Sequence, residues 1–181
     1  MIALRDIQLD DEEMVRVWRN SPEVNEYLFA DQHITAEAHR EWLQKILNDQ
    51  TFKYWIVTYD GQDVGVVNLF NIDRDNQRCY WGFYIAYPEM RGRGIGTFVE
   101  YEILRIVFDE LGFNKLCGET LSWNKILQIH YSFGYQKEGY LRQHVIKDGR
   151  PVDVVVIGIL RDEWELKKPE LQERLRRQGL L

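Results

Sequence analysis

The stretch that decides the fold is Arg91-Gly92-Arg93-Gly94-Ile95-Gly96-Thr97. It follows the apolar, strand-like run 78–85 and opens a segment with helical periodicity from about residue 97 to 110. The N–H groups in the first turn of a helix have no intrahelical partner, and the helix dipole adds positive charge there. The glycines let a ligand approach the backbone without meeting a Cβ atom. The segment therefore predicts an anion cradle suited to a pyrophosphate.

Two familiar phosphate-binding loops fit this segment poorly. A Walker A loop requires Gly-Lys-Ser/Thr after a longer spacer, which is absent here. A dinucleotide-binding turn has the spacing G-x-G-x-x-G within a parallel sheet, whereas the spacing here is G-x-G-x-G and the preceding strands are hairpin-like. A tight glycine-rich turn without a ligand is the structural alternative.

Outward from the motif, antiparallel hairpins alternate with helices. Strands are expected at 2–9, 52–59, 64–72, 78–85, 115–121, 138–146 and 152–160, with hairpin turns at Asp60-Gly61 and Asp148-Gly149. Helices are expected at about 10–18, from Thr35 with an apolar face of Trp42, Leu43, Ile46 and Leu47, at 97–110 and at 125–133. A single β–α–β crossover among hairpins predicts an α/β (α+β) fold. Its sheet is mixed, mostly antiparallel and of about seven strands, with helices on both faces.

Length and charge predict one domain. The 181 residues carry a net charge of −6, which argues against general nucleic-acid binding but not against a small anionic ligand. No apolar run approaches the roughly 20 residues of a membrane span, so a cytoplasmic protein without membrane contact is expected. Residues 1–160 are expected to form the domain. The charged segment 161–181 is interpreted as a helix that packs on it or forms oligomer contacts, for example in a homodimer.

The cysteines show no metal-ligand spacing. Cys79 and Cys117 lie in strand-like runs without a His or Cys at ligand spacing. They are interpreted as reduced packing residues, with a catalytic cysteine as the alternative. No metal is expected.

The motif and the element order resemble those of the GNAT acetyltransferases. Arg91-x-x-Gly94-x-Gly96 is similar to the acetyl-CoA motif of that family, and Gly134-Tyr135 to its Gly-aromatic pair. The resemblance covers about residues 3–160. It implies splayed fourth and fifth strands with the pantetheine arm between them, acetyl-CoA as co-substrate, and direct attack of an acceptor amine on the thioester. The residues implied to contact CoA are Ile85, Arg91, Gly92, Arg93, Gly94, Ile95, Gly96, Thr97 and Asn124.

A narrower resemblance lies in the N-terminal half. The segments 18–24 (WRNSPEV) and 34–42 (ITAEAHREW) are similar to those of GNAT enzymes of pseudaminic acid biosynthesis, whose product is used in flagellin glycosylation. Those enzymes acetylate the 4-amino group of a UDP-linked amino-dideoxy sugar. The alternatives are a ribosomal-protein N-terminal acetyltransferase, a polyamine acetyltransferase, and an acetyl-CoA-binding sensor without turnover.

The narrower resemblance implies four acceptor-binding residues. Arg19 and His39 are expected to donate to phosphate or sugar oxygens. Tyr84, on the fourth strand, and Asn71, at the end of the third, are expected to line the same pocket. Each has a structural alternative: a salt bridge or cap for Arg19, and packing for His39 and Tyr84.

The general acid that protonates the departing thiolate is ambiguous in this sequence. The family usually places a Tyr seven residues after the Asn and four before the Gly of the Gly-aromatic pair. Seven after Asn124 is Tyr131, whereas four before Gly134 is His130. Apolar periodicity within 126–133 favours the count from Gly134. We therefore expect His130 in the acid position, with Tyr131 as the alternative.

The general base is open as well. Glu119, on the fifth strand, is a candidate because its carboxylate could accept the proton of the attacking amine. A cross-strand pairing role for this side chain and a water relay to backbone carbonyls are the alternatives.

Overall fold

Seven strands form one sheet in the computed structural model, which describes residues 1–181. The strands are β1 (Ile2–Asp6), β2 (Lys53–Tyr59), β3 (Gln62–Asp73), β4 (Arg78–Ile85), β5 (Lys115–Leu121), β6 (Gln136–Lys147) and β7 (Arg150–Leu160). The α-helices are α1 (Glu12–Asn20), α2 (Pro22–Asn25), α3 (Ala36–Asn48), α4 (Ile95–Arg105), α5 (Ile126–Phe133) and α6 (Arg161–Arg177). Single 3₁₀ turns occur at Leu9–Asp11 and Pro88–Met90, and α4 continues as a π-helical turn, Ile106–Glu110.

The sheet has the order β1-β2-β3-β4-β5-β7-β6. All neighbouring strands are antiparallel except β4 and β5, which are parallel because α4 carries the chain back across the sheet between them. The predicted mixed, mostly antiparallel seven-stranded fold is confirmed.

The parallel pair is short, and the two strands then separate. Only three residue pairs join them, Arg78↔Lys115, Cys79↔Leu116 and Tyr80↔Cys117. Beyond these pairs β4 continues to Ile85 and β5 to Leu121 without pairing to each other. The splay of the fourth and fifth strands is therefore present, and it leaves an opening within the sheet.

The two hairpin turns lie where the sequence predicts them. Asp60 and Gly61 both have positive φ, at 50° and 82°, and Asp148 and Gly149 have 48° and 70°. Positive φ at both central residues is the requirement of the tight hairpin turn that matches strand twist.

The first three helices differ from the expectation in two places. The first helix, expected to end near residue 18, ends at Asn20, and Pro22 then begins an additional short helix, α2, because proline's fixed φ suits the first helical position. Thr35 caps α3 as predicted, and its side chain accepts the Ala38 N–H. The expected apolar face of α3 is wrong in one position: Leu47 is 41% exposed, whereas His39 is fully buried.

The C-terminal helix α6 contributes to the main core. Trp164, Leu171 and Leu175 are fully buried in the cluster that also contains the apolar side of α4. The Trp164 indole N–H donates to Asp109 Oδ1 at 3.0 Å, at the end of the π-helical turn. Although most side chains of this helix are charged, it has a short apolar face that packs on the core. None of the helices combines the length and apolarity needed to cross a bilayer.

Two leucines of α6 provide a matched test of this packing. We expect Leu171→Ala to lower the free energy of unfolding by about 2–5 kcal/mol, because it leaves a cavity in the core. Leu166→Ala makes the same chemical change at a side chain that is 82% exposed, and we expect it to stay within about 0.5 kcal/mol of the parent. Urea unfolding followed by tryptophan fluorescence measures both. Equal stabilities of the two variants would contradict the packing of α6 on the domain.

Candidate active site

A cleft of about 970 Å³ opens where β4 and β5 separate. Its walls include 81–85 of β4 and 118–121 of β5. At one end the cleft reaches the glycine-rich segment 91–97, and at the other it reaches α1 and α3. We call these ends the loop half and the acceptor half. A ligand that fills the cleft therefore passes through the sheet between the two strands.

The loop half is an arrangement of free backbone donors. Gly94 caps α4 in the left-handed conformation, with φ of 81°, and Gly92 has φ of 76°. None of the backbone N–H groups from Gly92 to Thr97 donates to an acceptor within the protein; the first amide of the helix to do so is that of Phe98, to Gly94. Six adjacent amides at a helix N-terminus fit the pyrophosphate of CoA. The unpaired amides that an anion cradle requires are therefore present, and their binding of CoA stays a prediction.

The two arginines of the loop make contacts that hold it in place. Arg91 Nη2 donates to the backbone oxygens of Glu23 at 2.7 Å and Ile85 at 3.4 Å, and its guanidinium lies over the Tyr27 ring. Arg93 Nε donates to the Glu89 oxygen at 3.1 Å. Both side chains therefore hold the loop in place. Most of the hydrogen-bond donors that the loop leaves unpaired are backbone N–H groups.

Two further residues complete the loop half. Asn124 lines the cleft, and its Oδ1 accepts the Ile126 N–H at 3.0 Å, which leaves its amide nitrogen without a partner in the protein. Leu180 lies beside the glycine turn, where a Cβ on Gly94 would be 2.9 Å from its Cδ atoms. No pattern in the sequence points to Leu180, because it follows a charged helix far along the chain.

In the acceptor half, an arginine stacks on a tryptophan. The Arg19 guanidinium carbon lies 4.7 Å from the centroid of Trp42. Arg19 has no carboxylate within 4.0 Å and makes no hydrogen bond to a protein acceptor, although ion pairs are frequent elsewhere in the chain. Its charge is therefore available to a ligand.

Tyrosine and asparagine side chains face this guanidinium from the sheet. Tyr54, Asn68 and Tyr84 all line the cleft. The Tyr84 hydroxyl is buried without a hydrogen-bond partner in the protein, and burial raises its pKa. A buried hydroxyl without a partner costs free energy, which an acceptor oxygen or nitrogen could recover.

Two predicted acceptor residues lie elsewhere. His39 is fully buried and does not line the cleft; it packs against Trp42, with ring centroids 4.8 Å apart. Burial and the charge of Arg19 lower the pKa of His39 to about 4, so the ring is neutral near pH 7 and cannot serve as a cationic donor. The structure places His39 as a support for Trp42 instead.

Asn71 does not line the cleft either. It lies in a shallow, polar depression with Asp73 and Arg78, and its backbone has positive φ at a bulge in β3. Asn68, three residues earlier on β3, lines the cleft instead and occupies the position that was expected for Asn71.

The structure separates the two candidates for the general acid. His130 lines the cleft and is 5% exposed, and its Nδ1 lies 2.8 Å from Glu100 Oε1. Tyr131, the next residue on α5, does not line the cleft and packs against the main core. The helical register counted from Gly134 thus brings the histidine to the site. Its role as the acid stays a prediction.

The groups around His130 include one that sequence reasoning missed. Glu100 is fully buried on α4, and burial raises the pKa of its carboxyl, against the opposing effect of His130. A signal did exist in the sequence: Ile103 and Leu104, three and four residues after Glu100, share its helix face and are apolar. Glu119, the candidate base, lines the cleft and is exposed, and its side chain makes no hydrogen bond within the protein.

The cysteines lie outside the cleft. Cys79 and Cys117 are both buried and free. Burial raises the pKa of Cys79 to about 12 and also raises that of Cys117, so both thiols are protonated near pH 7. These positions fit the interpretation as packing residues.

Comparisons with known proteins agree with this geometry. A family model described as Acetyltransferase (GNAT) domain matches residues 2–129. The prophage-derived N-acetyltransferase YokL of Bacillus subtilis is 31% identical over 134 residues, covering 73% of this chain and 75% of that protein. Acetyltransferase PseH of Campylobacter jejuni is 31% identical over 128 residues, covering 69% and 78%.

A solved structure shares the fold. Spermidine N-acetyltransferase from Vibrio cholerae, in complex with CoA and spermine, superimposes with a TM-score of 0.84 at 21% identity, covering 91% of this chain and 98% of that one. The split sheet and the amide cradle define a fold that binds acyl-CoA. The chain belongs to the GNAT acetyltransferases and is an acetyl-CoA-dependent N-acetyltransferase.

Gly94→Val tests the cradle. We expect the variant to bind CoA about tenfold or more weakly, because the new side chain occupies the surface from which the amides are donated and collides with Leu180. Isothermal titration calorimetry measures the affinity. Gly149→Val is the matched control, since it has the same positive-φ strain in a distant hairpin with open space around it. Unchanged CoA affinity in folded Gly94→Val protein would contradict the site.

Proposed function

We propose that this acetyltransferase transfers the acetyl group of acetyl-CoA to the amino group of a UDP-linked 4-amino sugar. The observation that carries the proposal is Arg19, a guanidinium in the acceptor half with no carboxylate partner. Such a group binds phosphate or sugar oxygens well, since it is planar and has several donors. Trp42, beneath it, holds the guanidinium in place by a cation–π contact.

The charges of the cleft support an anionic acceptor over a polycation. Its basic side chains are Arg19, Arg91, Arg93 and Lys125, and its acidic ones are Glu23 and Glu119. A polyamine is recognised by carboxylates, and the charge of Arg19 would repel it at the acceptor end. A nucleotide sugar carries two phosphates, which this charge attracts.

The relatives support the same class. PseH is among the proteins that match about two thirds of this chain, with 31% identity over 69% of it. The spermidine enzyme shares the fold at 21% identity, which is informative about architecture. We infer that the product enters pseudaminic acid biosynthesis and, through it, the glycosylation of flagellin.

The transfer step uses residues from both walls of the cleft. The neutral amine of the acceptor, held near Arg19 and Tyr84, attacks the carbonyl carbon of the thioester. A C–N bond forms, the C–S bond breaks, and His130 donates a proton to the departing sulfur. The amine releases one proton on the exposed side of the cleft, where Glu119 lies. Water then returns one proton to His130 in place of the one that the amine released, so that the net products are an amide and a thiol.

A panel of acceptors tests the proposal. Purified protein is incubated with acetyl-CoA and, separately, UDP-4-amino-4,6-dideoxy-N-acetyl-β-L-altrosamine, spermidine and a peptide with a ribosomal-protein N-terminus. Thiol release is followed with a chromogenic disulfide, and the acetylated product by mass spectrometry. We expect kcat/KM to be highest for the UDP-amino sugar. Faster turnover of spermidine or of the peptide would assign another acceptor, and CoA binding without any turnover would favour a sensor.

Arg19→Gln tests the acceptor contact. We expect the KM for the UDP-amino sugar to rise about tenfold or more, because a charged hydrogen bond to the ligand is lost. The Kd for acetyl-CoA should stay within about twofold, since the loop half is untouched. Arg16→Gln is the control, as Arg16 lies on the same helix but is paired with Glu13. A similar effect of both substitutions would contradict a specific role for Arg19.

A pair of variants tests the acid. We expect His130→Ala to lower kcat about a hundredfold, within the range of general acid catalysis, and Tyr131→Phe to leave it within about twofold. CoA affinity is measured in parallel to confirm that both proteins keep the cradle. A large fall confined to Tyr131→Phe would show that the register counted from Asn124 is the functional one.

A further inference from the structure

Glu100 lies in the core directly behind His130. It is fully buried in the middle of α4, and its Oε1 is 2.8 Å from His130 Nδ1. A buried carboxyl is expensive for a fold unless it is hydrogen-bonded. Here the only hydrogen bond of the carboxyl is the one to the histidine, and its second oxygen has no partner.

We propose that Glu100 is a positioning residue that holds a proton in the core and supplies it, through His130, to the sulfur of the departing CoA. The proposal rests on the proposed role of His130 as the acid. It adds a residue that does not itself touch the cleft and that acts through the imidazole.

The geometry leaves one ring nitrogen for the cleft. Nδ1 is occupied by Glu100, whereas Nε2 has no hydrogen-bond partner in the protein. Trp81 meets the ring edge-on at 5.5 Å between centroids, and Tyr135 lies at 5.4 Å on another side. These aromatic contacts fix the orientation of the imidazole. The tautomer of the ring therefore determines whether Nε2 donates or accepts a hydrogen bond. A proton on Nε2 makes His130 a donor, and a proton on Nδ1 leaves Nε2 an acceptor only.

The surroundings favour a protonated Glu100. Three groups face it from the elements packed on α4: His130 from α5, the Tyr135 hydroxyl that follows it, and Arg174 from α6. Arg174 lies over the Phe133 ring and is not within 4.0 Å of the carboxyl, so it makes no ion pair with it. Burial is the dominant influence and raises the pKa of Glu100. A neutral carboxyl donates to Nδ1 and leaves the proton of His130 on Nε2.

The step then balances within the pair. As the C–S bond breaks, Nε2–H gives its proton to sulfur and Nδ1 takes the proton of the Glu100 carboxyl. The pair ends as a Glu100 carboxylate that accepts a hydrogen bond from Nδ1–H of a neutral imidazole. After the thiol leaves, water in the cleft returns one proton through Nε2. No net charge remains in the core.

Nitrogen NMR of the parent protein tests the resting state without turnover. The chain has four histidines, so ¹⁵N-labelled imidazoles are few enough to assign by comparison with His130→Ala. At pH 7 we expect the shift of His130 Nε2 to be that of a protonated nitrogen and that of Nδ1 to be of the unprotonated, hydrogen-bonded type. A protonated Nδ1 with a bare Nε2 would overturn the proposal.

Kinetics test the relay itself. We expect Glu100→Gln to lower kcat about tenfold or more while the KM for acetyl-CoA stays within about twofold, because the amide keeps the shape but cannot supply a proton. In the parent, kcat should fall at high pH as the Glu100–His130 pair loses its proton. In Glu100→Gln this fall of kcat at high pH should be absent. Glu102→Gln is the control on the same helix, where the carboxylate is paired with Arg105. Thermal unfolding verifies that the variants are folded.

A double-mutant cycle distinguishes a failure of the Glu100 relay from a failure of the acid role of His130. If Glu100 acts through His130, Glu100→Gln has no further effect on kcat in the His130→Ala background. Equal effects in both backgrounds would overturn the relay and indicate a structural role for Glu100. A His130→Ala variant with the kcat of the parent would overturn the acid role on which the relay rests. The assay uses the best acceptor of the panel, so a different acceptor would leave the test of Glu100 intact.

Discussion

The separation of β4 from β5 after three residue pairs is the constraint on which the site depends. Trp81 is the first residue of β4 beyond those pairs, and it is 5% exposed. Gly118 lies beside it on β5, where an added Cβ would be 3.6 Å from the Trp81 indole nitrogen and 3.2 Å from Ile157. The indole stacks on Phe83 and Tyr135 and meets His130 edge-on. One large side chain thus occupies the point of divergence and orients the imidazole beside it.

The polar groups that the fold leaves unsatisfied lie on the two sides of this opening. Tyr84 and His39 belong to the acceptor side, and Glu100, Tyr135 and Arg174 lie behind His130. Each buried polar atom without a partner costs about 1–3 kcal/mol. On the acceptor side, a ligand can recover part of this cost at Tyr84, which lines the cleft, but not at His39, which does not. The fold is therefore less stable around the site than it would be with apolar side chains there. The same polar groups are already positioned to bind a ligand in the cleft.

The backbone was largely predictable from sequence, because its signals are local. Asp60-Gly61 and Asp148-Gly149 specify hairpin turns by their positive φ, and the strand at 115–121 has the bounds that its apolar run indicates. The acceptor site was harder, since it joins segments far apart in the chain. His39 was expected in the cleft from its neighbours in sequence, yet its place on the buried face of α3 turns it into the core. Asn68 and Asn71 could not be distinguished without the bulge that ends β3.

The short connection between β5 and α5 explains why the proposed acid is His130 and why Glu100 lies behind it. In the family's usual spacing a tyrosine reaches the thiolate, and a phenol with a pKa near 10 carries its proton at neutral pH without help. This chain is one residue shorter between Asn124 and Gly134, so that His130 reaches the cleft instead. A neutral imidazole has one proton and two nitrogens, and it donates to the cleft only if its partner keeps that proton on Nε2. The proposed change of acid therefore requires a second group in the core, and α4 places Glu100 at hydrogen-bond distance from the other nitrogen.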